Sequence, residues 1–197
     1  MALPKDVYED SRCRLPMPKR EDLDEAGQKV FDHHMDPNGG SIAGLHGPGG
    51  VRLHSPKLSA GLAPAARYLR READYSKPIR ELIILVTARE MESRFEWAAH
   101  EPEALSVGLP QATIDVVKYR KPVEGLTEQE AAVIRIGRQL FREKRLSPEL
   151  FAEGLRLFGR KTLVDVIGLM GNYASTALLL AAVDMQLPDG DPALLPA

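Results

Sequence analysis

Glu96 and His100 stand four residues apart, a spacing that sets a carboxylate beside an imidazole on one side of any helix carrying both. Glu81 lies upstream, inside an aliphatic run of Ile79, Leu82, Ile83, Leu85 and Val86. A carboxylate buried in such a run is costly unless it meets a donor such as an imidazole or an arginine, and His100 is the natural partner. A histidine with a carboxylate on one or both sides has a fixed tautomer and a proton usable near neutral pH, which is equipment for general acid/base catalysis. The same residues also have a structural reading. Ser93 and Glu96 have the spacing of a capping box, and a glutamate and a histidine at i,i+4 are often only a satisfied pair.

Other chemistries fit these side chains less well. His100-Glu101 begins like a zinc-protease motif, but the second histidine would have to stand at Ala104, so that chemistry is excluded. Glu81, Glu96 and His100 are competent metal ligands, yet their spacing is not diagnostic and no metal is assigned. His33 and His34 have no partner at ligand spacing and are read as the polar end of a helix. Cys13 is the only cysteine, which excludes an internal disulfide and a C-x-x-C redox pair within one chain and leaves an incidental thiol in a polar arm.

The elements that must position these groups are helices. The stretch to Lys19, with Pro4, Pro16 and Pro18 among charges, reads as an extended arm laid over the body or over a neighbouring subunit. A single helical domain is expected over 20–197. Leu23, Ala26, Val30 and Phe31 recur at helical spacing between Arg20 and Met35. Pro37 to Gly50 is the only glycine-rich region and reads as loop, its glycines shaping a turn or a pocket rim. With no strand before it and no Gly-Lys-Ser/Thr at its end, it does not qualify as a phosphate-binding loop.

Ser55-Pro56 opens a helix towards Ala73 that Pro64 bends, and Pro78 begins a largely apolar helix. The next helix starts at Ser93, with a kink or restart at Pro102. A short segment from Gln111 to Tyr119 follows, then a capping box at Thr127-Glu128-Gln129-Glu130 opens a helix ending near Arg145. Ser147-Pro148-Glu149 opens another, stopped by Gly159. From Lys161 to Met185 runs a long helix charged only at Asp165 and Asp184 after Lys161, more apolar surface than one side of a small monomer covers, so part of it is expected to face another chain. No stretch alternates with period two. The fold class is therefore all-α, with about seven or eight helices.

Composition narrows the function classes. Apolar residues at 44% and charged residues at 27% are ordinary for a globular domain. A net charge of −2 and a pI near 6.2, with Lys and Arg dispersed among Asp and Glu, give no basic field for nucleic acid. No uninterrupted apolar run of membrane-spanning length and no signal-peptide core are seen, so a cytoplasmic location is expected.

Arg80-Glu81-Leu82 through Ala88-Arg89-Glu90, Phe95-Glu96-Trp97-Ala98-Ala99-His100, and Ala104 to Gly108 resemble the core of the carboxymuconolactone decarboxylase family. The Phe158-Gly159 turn, Leu163-Val164-Asp165 and Gly171-Asn172-Tyr173 resemble its last core helix, so the likeness spans roughly Ser55 to Met185. It implies the all-helical alkylhydroperoxidase D-like fold and a homo-oligomer, trimer or hexamer. In the peroxidase branch a glutamate and a histidine serve a C-x-x-C pair. Glu81 and His100 match the former, but the cysteine positions fall on Ser93 and Glu96, so thiol peroxidase chemistry is expected to be absent. The decarboxylase branch, which lacks that pair, implies a cofactor-free reaction on a small carboxylated γ-lactone of aromatic-acid degradation, with carbon dioxide lost and the carbanion or enolate protonated. Under that likeness His100 is the proton donor, with Glu96 and Glu81 orienting it. Trp97 walls the pocket, and His46, His54 and Tyr173 are candidate substrate contacts. The alternative is a non-catalytic small-acid binding or accessory protein on the same scaffold.

Overall fold

The computed structural model describes residues 3–36, 42–188 and 195–196. Gly39 and Gly40 of the glycine-rich stretch lie outside them. Among the described residues the chain is all-helical without strands: a short 3-10 turn at Arg20–Asp22, then α1 Glu25–Met35, α2 Pro48–Leu53, α3 Pro56–Arg71, α4 Lys77–Glu90, α5 Arg94–Ser106, α6 Gln111–Lys118, α7 Glu128–Glu143 and α8 Pro148–Ala182. Gly159, at φ 70° and ψ 175°, breaks α8, where the sequence placed a stop, because a residue with a Cβ rarely adopts that conformation.

The residues fall into two compact units, one of 3–36, 42–67 and 178–188, the other of 68–177 and 195–196. The division does not fall at 19/20, where composition placed a boundary between arm and domain. In the first unit the stretch before Lys19 is packed. Arg14 N donates to Val183 O at 2.8 Å, Gln186 N to Arg12 O at 2.9 Å, and Arg12 Nε to Leu187 O at 3.0 Å. Cys13, expected on a polar arm, is buried in a small apolar cluster with Val51 and Val183, flanked by Leu15, Leu179 and Met185.

The glycine-rich stretch corrects another expectation, because Gly49 and Gly50 lie in α2 rather than in a loop. A Cβ at Gly50 would stand 2.1 Å from the Leu45 carbonyl oxygen, and one at Gly49 2.6 Å from the His34 ring. These glycines let α2 close onto α1 and its own preceding turn.

The second unit holds the larger core. α4 packs against α5, α6 and α7, and its buried residues surround the helix, from Leu82 and Ile83 through Val86. Leu163, Val166, Leu169 and Met170 of α8 join the same core. α8 is long and apolar enough to cross a membrane by length and composition, although the sequence contains no uninterrupted apolar run of that length; half of its most apolar window is buried inside the protein. A core helix passes the same test. Ser76 caps α4, its hydroxyl accepting from Ile79 N at 3.4 Å, so that the helix begins at Lys77, one residue ahead of the start read at Pro78. The box at Thr127 and Glu130 forms fully and starts α7. α5 runs through Pro102 without a break, against the expected restart.

Candidate active site

α4 brings Glu81 and α5 brings His100 to one point in the second unit. Glu81 Oε2 lies 2.7 Å from His100 Nδ1, and Glu81 Oε1 accepts from Arg80 Nε at 2.8 Å. Arg80 Nη1 in turn donates to the Arg70 carbonyl at 3.0 Å, which ties the end of α3 to the site. Both carboxylate oxygens are thus held by cationic or hydrogen-bonding partners, the condition under which a carboxylate can be buried at all. Burial alone pushes the Glu81 carboxyl up. The hydrogen bond and charge of His100, followed by those of Arg80, outweigh it and hold the group below the usual carboxylate range.

An ionised carboxylate only accepts, so the ring nitrogen facing Glu81 must carry the proton. His100 Nδ1 therefore donates, and the ring is fixed with Nε2 on its other side. Nε2 lies 3.8 Å from Glu96 Oε2, beyond hydrogen-bond length. Tyr173 of α8 meets the His100 ring edge-on, centroids 5.1 Å apart at 85°. Burial, chiefly, raises its phenol above the ordinary range, with Glu96 and Glu81 adding to the rise and Arg70 opposing it, so the hydroxyl is a donor at neutral pH.

The capping reading of Glu96 is not realised. Ser93 stands at the N-cap of α5, but its side chain makes no cap hydrogen bond, and Glu96 faces His100 instead. Trp97 is 0% exposed and its indole N–H donates to Glu101 Oε2 at 2.9 Å. It is a core residue, not the wall of an open pocket, because none of its surface is accessible. Lys118 Nζ completes that contact, 3.2 Å from Glu101 Oε1. His46 and His54 belong to the first unit, and both are exposed. His54 borders a surface cavity of about 640 Å³ whose wall includes Pro16, Met17, Pro18, Leu23 and Leu53, and its Nε2 lies 3.0 Å from the Pro16 carbonyl oxygen.

The structure thus joins Glu81, Glu96, His100 and Tyr173 in one place. Sequence reasoning missed Arg80 as the second partner of Glu81. The signal was available, since Arg80 is the cation next to a carboxylate inside an apolar run. Among the described residues no group of three or more His, Cys, Asp or Glu side chains is placed to hold a metal ion. No family model matches the chain, and no curated protein matches it significantly.

Proposed function

We propose that the chain is a cofactor-free acid/base enzyme of the carboxymuconolactone decarboxylase type, acting on a small carboxylated lactone or related acid by decarboxylation or isomerisation. One observation carries the reading: an ionised Glu81 holds His100 at Nδ1 over 2.7 Å while Nε2 makes no direct bond to Glu96 at 3.8 Å. A ring held in that way presents Nε2 in a fixed direction for proton exchange with a substrate. In decarboxylation the C–C bond to the carboxylate breaks and its electron pair stays on the substrate carbon as a carbanion or enolate. Nε2–H then protonates that carbon, and water reprotonates the ring. The Tyr173 hydroxyl is a donor for a substrate oxygen.

The test is turnover of carboxylated γ-lactones, followed as carbon dioxide release and by proton NMR of the products. Wild type is expected to turn over a member of this class, with His100→Ala and Glu96→Ala reduced at least about 100-fold, the scale of general acid/base assistance. Equal turnover by all three proteins removes the reading.

The near-complete burial of His100, 4% exposed, and Glu81, 1% exposed, favours a second reading, in which the same network holds α4 to α5 in a non-catalytic binding or accessory protein. That reading expects no turnover and saturable small-acid binding unaffected by His100→Gln.

We also propose that the chain is a homo-oligomer, trimer or hexamer, with copies meeting on α8. Val164, Gly168, Gly171, Ser175, Leu178 and Ala182 are all exposed, carry no charge and recur at alternating spacings of four and three, the geometry of a helix-packing seam. Light scattering is expected to give a multiple of 21.7 kDa, and Val164→Glu to lower it. A monomer mass at micromolar concentration defeats the proposal.

A further inference from the structure

α4 ends in a second concentration of charge, away from His100. Arg89 follows Glu81 by eight residues, about 12 Å along the helix. The buried Glu90 carboxylate takes Arg142 on both oxygens, Nε at 2.8 Å and Nη2 at 2.9 Å, with Arg120 Nε 3.6 Å away. Glu92 accepts from Arg89 Nη1 on Oε2 at 2.7 Å and from Arg120 Nη2 on Oε1. Arg120 Nη2 also lies 3.4 Å from the Arg89 carbonyl oxygen. Arg89, Arg120 and Arg142 are thus joined through two carboxylates, Glu90 and Glu92. Arg138 stands in the same field. Burial pushes its guanidinium down from the ordinary value, Glu90 pulls it back, and Arg142 and Arg120 press it further down.

Much of this network has a structural reason. Cations favour the C-terminal end of a helix, and Arg120 and Arg142 satisfy a Glu90 carboxylate too buried to stay unpaired. That reason does not reach Arg89. Its side chain is 6% exposed, yet its side-chain bond is to Glu92, which is 56% exposed. Among the described residues, Arg89 Nε is the buried side-chain nitrogen or oxygen left without a hydrogen-bond partner. An idle donor on a buried guanidinium is costly and calls for an acceptor. Glu92 itself sits at φ 53°, where a residue with a Cβ is uncommon. What it adds over a glycine in that turn is its carboxylate. The bond it makes is weakened by solvent and by the rotamer freedom of an exposed side chain, so an oxyanion from solution can take its place.

The geometry points to a phosphate-binding site on Arg89 and Arg120, in which the Glu92 carboxylate holds the place of the ligand and is displaced by it. A carboxylate has two oxygens, and Glu92 gives one to each guanidinium. A phosphate brings a third, available to the idle Arg89 Nε–H. With Glu92 swung away, Arg89, Arg120 and Arg142 face Glu90 alone, a surplus of positive charge that suits a dianion better than a monoanion. The ligand class is inorganic phosphate or a phosphate monoester. The site requires neither His100 nor the reaction proposed for it.

The probes are inorganic phosphate, methyl phosphate and acetate, titrated at constant ionic strength so that general screening is held fixed. Binding is read by nitrogen–proton NMR of the arginine Nε–H groups, assigned from the backbone of the full chain. Phosphate is expected to move the Arg89 Nε–H signal downfield to saturation, and acetate at the same concentration to leave it in place. Glu92→Gln keeps the side-chain length and removes the competing charge, so it is expected to bind phosphate about tenfold or more tightly than wild type. Arg120→Gln is expected to bind about tenfold or more weakly. Arg145→Gln, exposed beyond the end of α7, is expected to bind as wild type does. Absence of a saturable shift in both wild type and Glu92→Gln overturns the proposal, as does phosphate binding undiminished in Arg120→Gln. An equal loss in Arg145→Gln and Arg120→Gln also overturns it, since that is the response of diffuse charge. Acetate bound as tightly as phosphate overturns the ligand class. Methyl phosphate bound at least as tightly as the free ion assigns the site to a monoester, and weaker binding of the ester assigns it to inorganic phosphate.

Discussion

The two compact units solve the same problem, burial of a short helical chain, by opposite means. In the first, closeness comes from missing side chains: α2 reaches α1 because Gly49 and Gly50 leave room for the His34 ring and the Leu45 carbonyl, and its apolar cluster of Cys13, Val51 and Val183 is small. In the second, bulk fills the space, with Leu82, Ile83, Ile84, Leu85 and Trp97 all wholly buried, and the charged Glu81 is set into that apolar surround. A polar group carries chemistry only where its surroundings leave it few alternatives. That condition is met at Glu81 and His100. It is not met at His54, which is exposed at the edge of a surface cavity.

The contrast is tested first where the largest effect is expected. Glu81→Ala strips Arg80 and His100 of their shared partner in a buried setting and is expected to cost about 3–5 kcal/mol in denaturant unfolding, the usual penalty for breaking one side of a buried pair. A cost comparable to that of an exposed pair such as Lys29 with Glu25 would erase the distinction between the units. Gly50→Ala addresses the first unit, where a methyl group would overlap backbone rather than a mobile side chain. It is expected to destabilise by about 1–3 kcal/mol, with hydrogen exchange accelerated in α1 and α2 and unchanged in α4 and α7. Uniform acceleration would show that the units do not respond separately.

Acid should act on the second unit through Glu81. The Glu81 carboxyl lies below its ordinary value in the folded protein, so its contribution is complete above the unfolded-state value near 4.5 and is lost as pH falls through the lower folded one. Glu81→Gln is therefore expected to be less stable than wild type at neutral pH and to lose less on acidification below about 4.5. Parallel pH–stability curves for the two proteins would contradict this. The smallest effects separate two helix caps. Asp24 accepts from Gly27 N at 2.8 Å and starts α1, so Asp24→Ala is expected to cost about 1 kcal/mol. Ser93 caps nothing, and Ser93→Ala is expected to stay within about 0.5 kcal/mol.

These cases also show which parts were legible in the sequence. The Thr127–Glu130 box was readable because both of its bonds close within four residues, and the Gly159 break because a left-handed residue ends a helix wherever it occurs. The Ser93–Glu96 box has the same local signature, yet the Ser93 side chain makes no cap hydrogen bond and Glu96 is turned towards His100, one turn further along the same helix. Gly49 and Gly50 read as loop because their reason is the space taken by His34 and Leu45. Trp97 read as a pocket wall because a sequence shows an aromatic residue near a histidine but not the Glu101 carboxylate that holds its N–H. At the site, the i,i+4 pair of Glu96 and His100 and the anomaly of Glu81 in an apolar run were both visible. The dependence of Glu81 on Arg80, and of Arg80 on the Arg70 carbonyl, was not, since it joins the ends of two helices.

The most direct test of the site is nitrogen-15 NMR of histidine-labelled protein. The chain has five histidines, and the His100 signals are assigned by their loss in His100→Gln. At neutral pH the His100 Nδ1 is expected to carry a proton and to show the downfield proton shift of a short bond to a carboxylate, a feature lost in Glu81→Ala. A ring with a bare Nδ1, or a Nδ1 proton signal unchanged in Glu81→Ala, would contradict the orientation on which the proposed acid/base role depends.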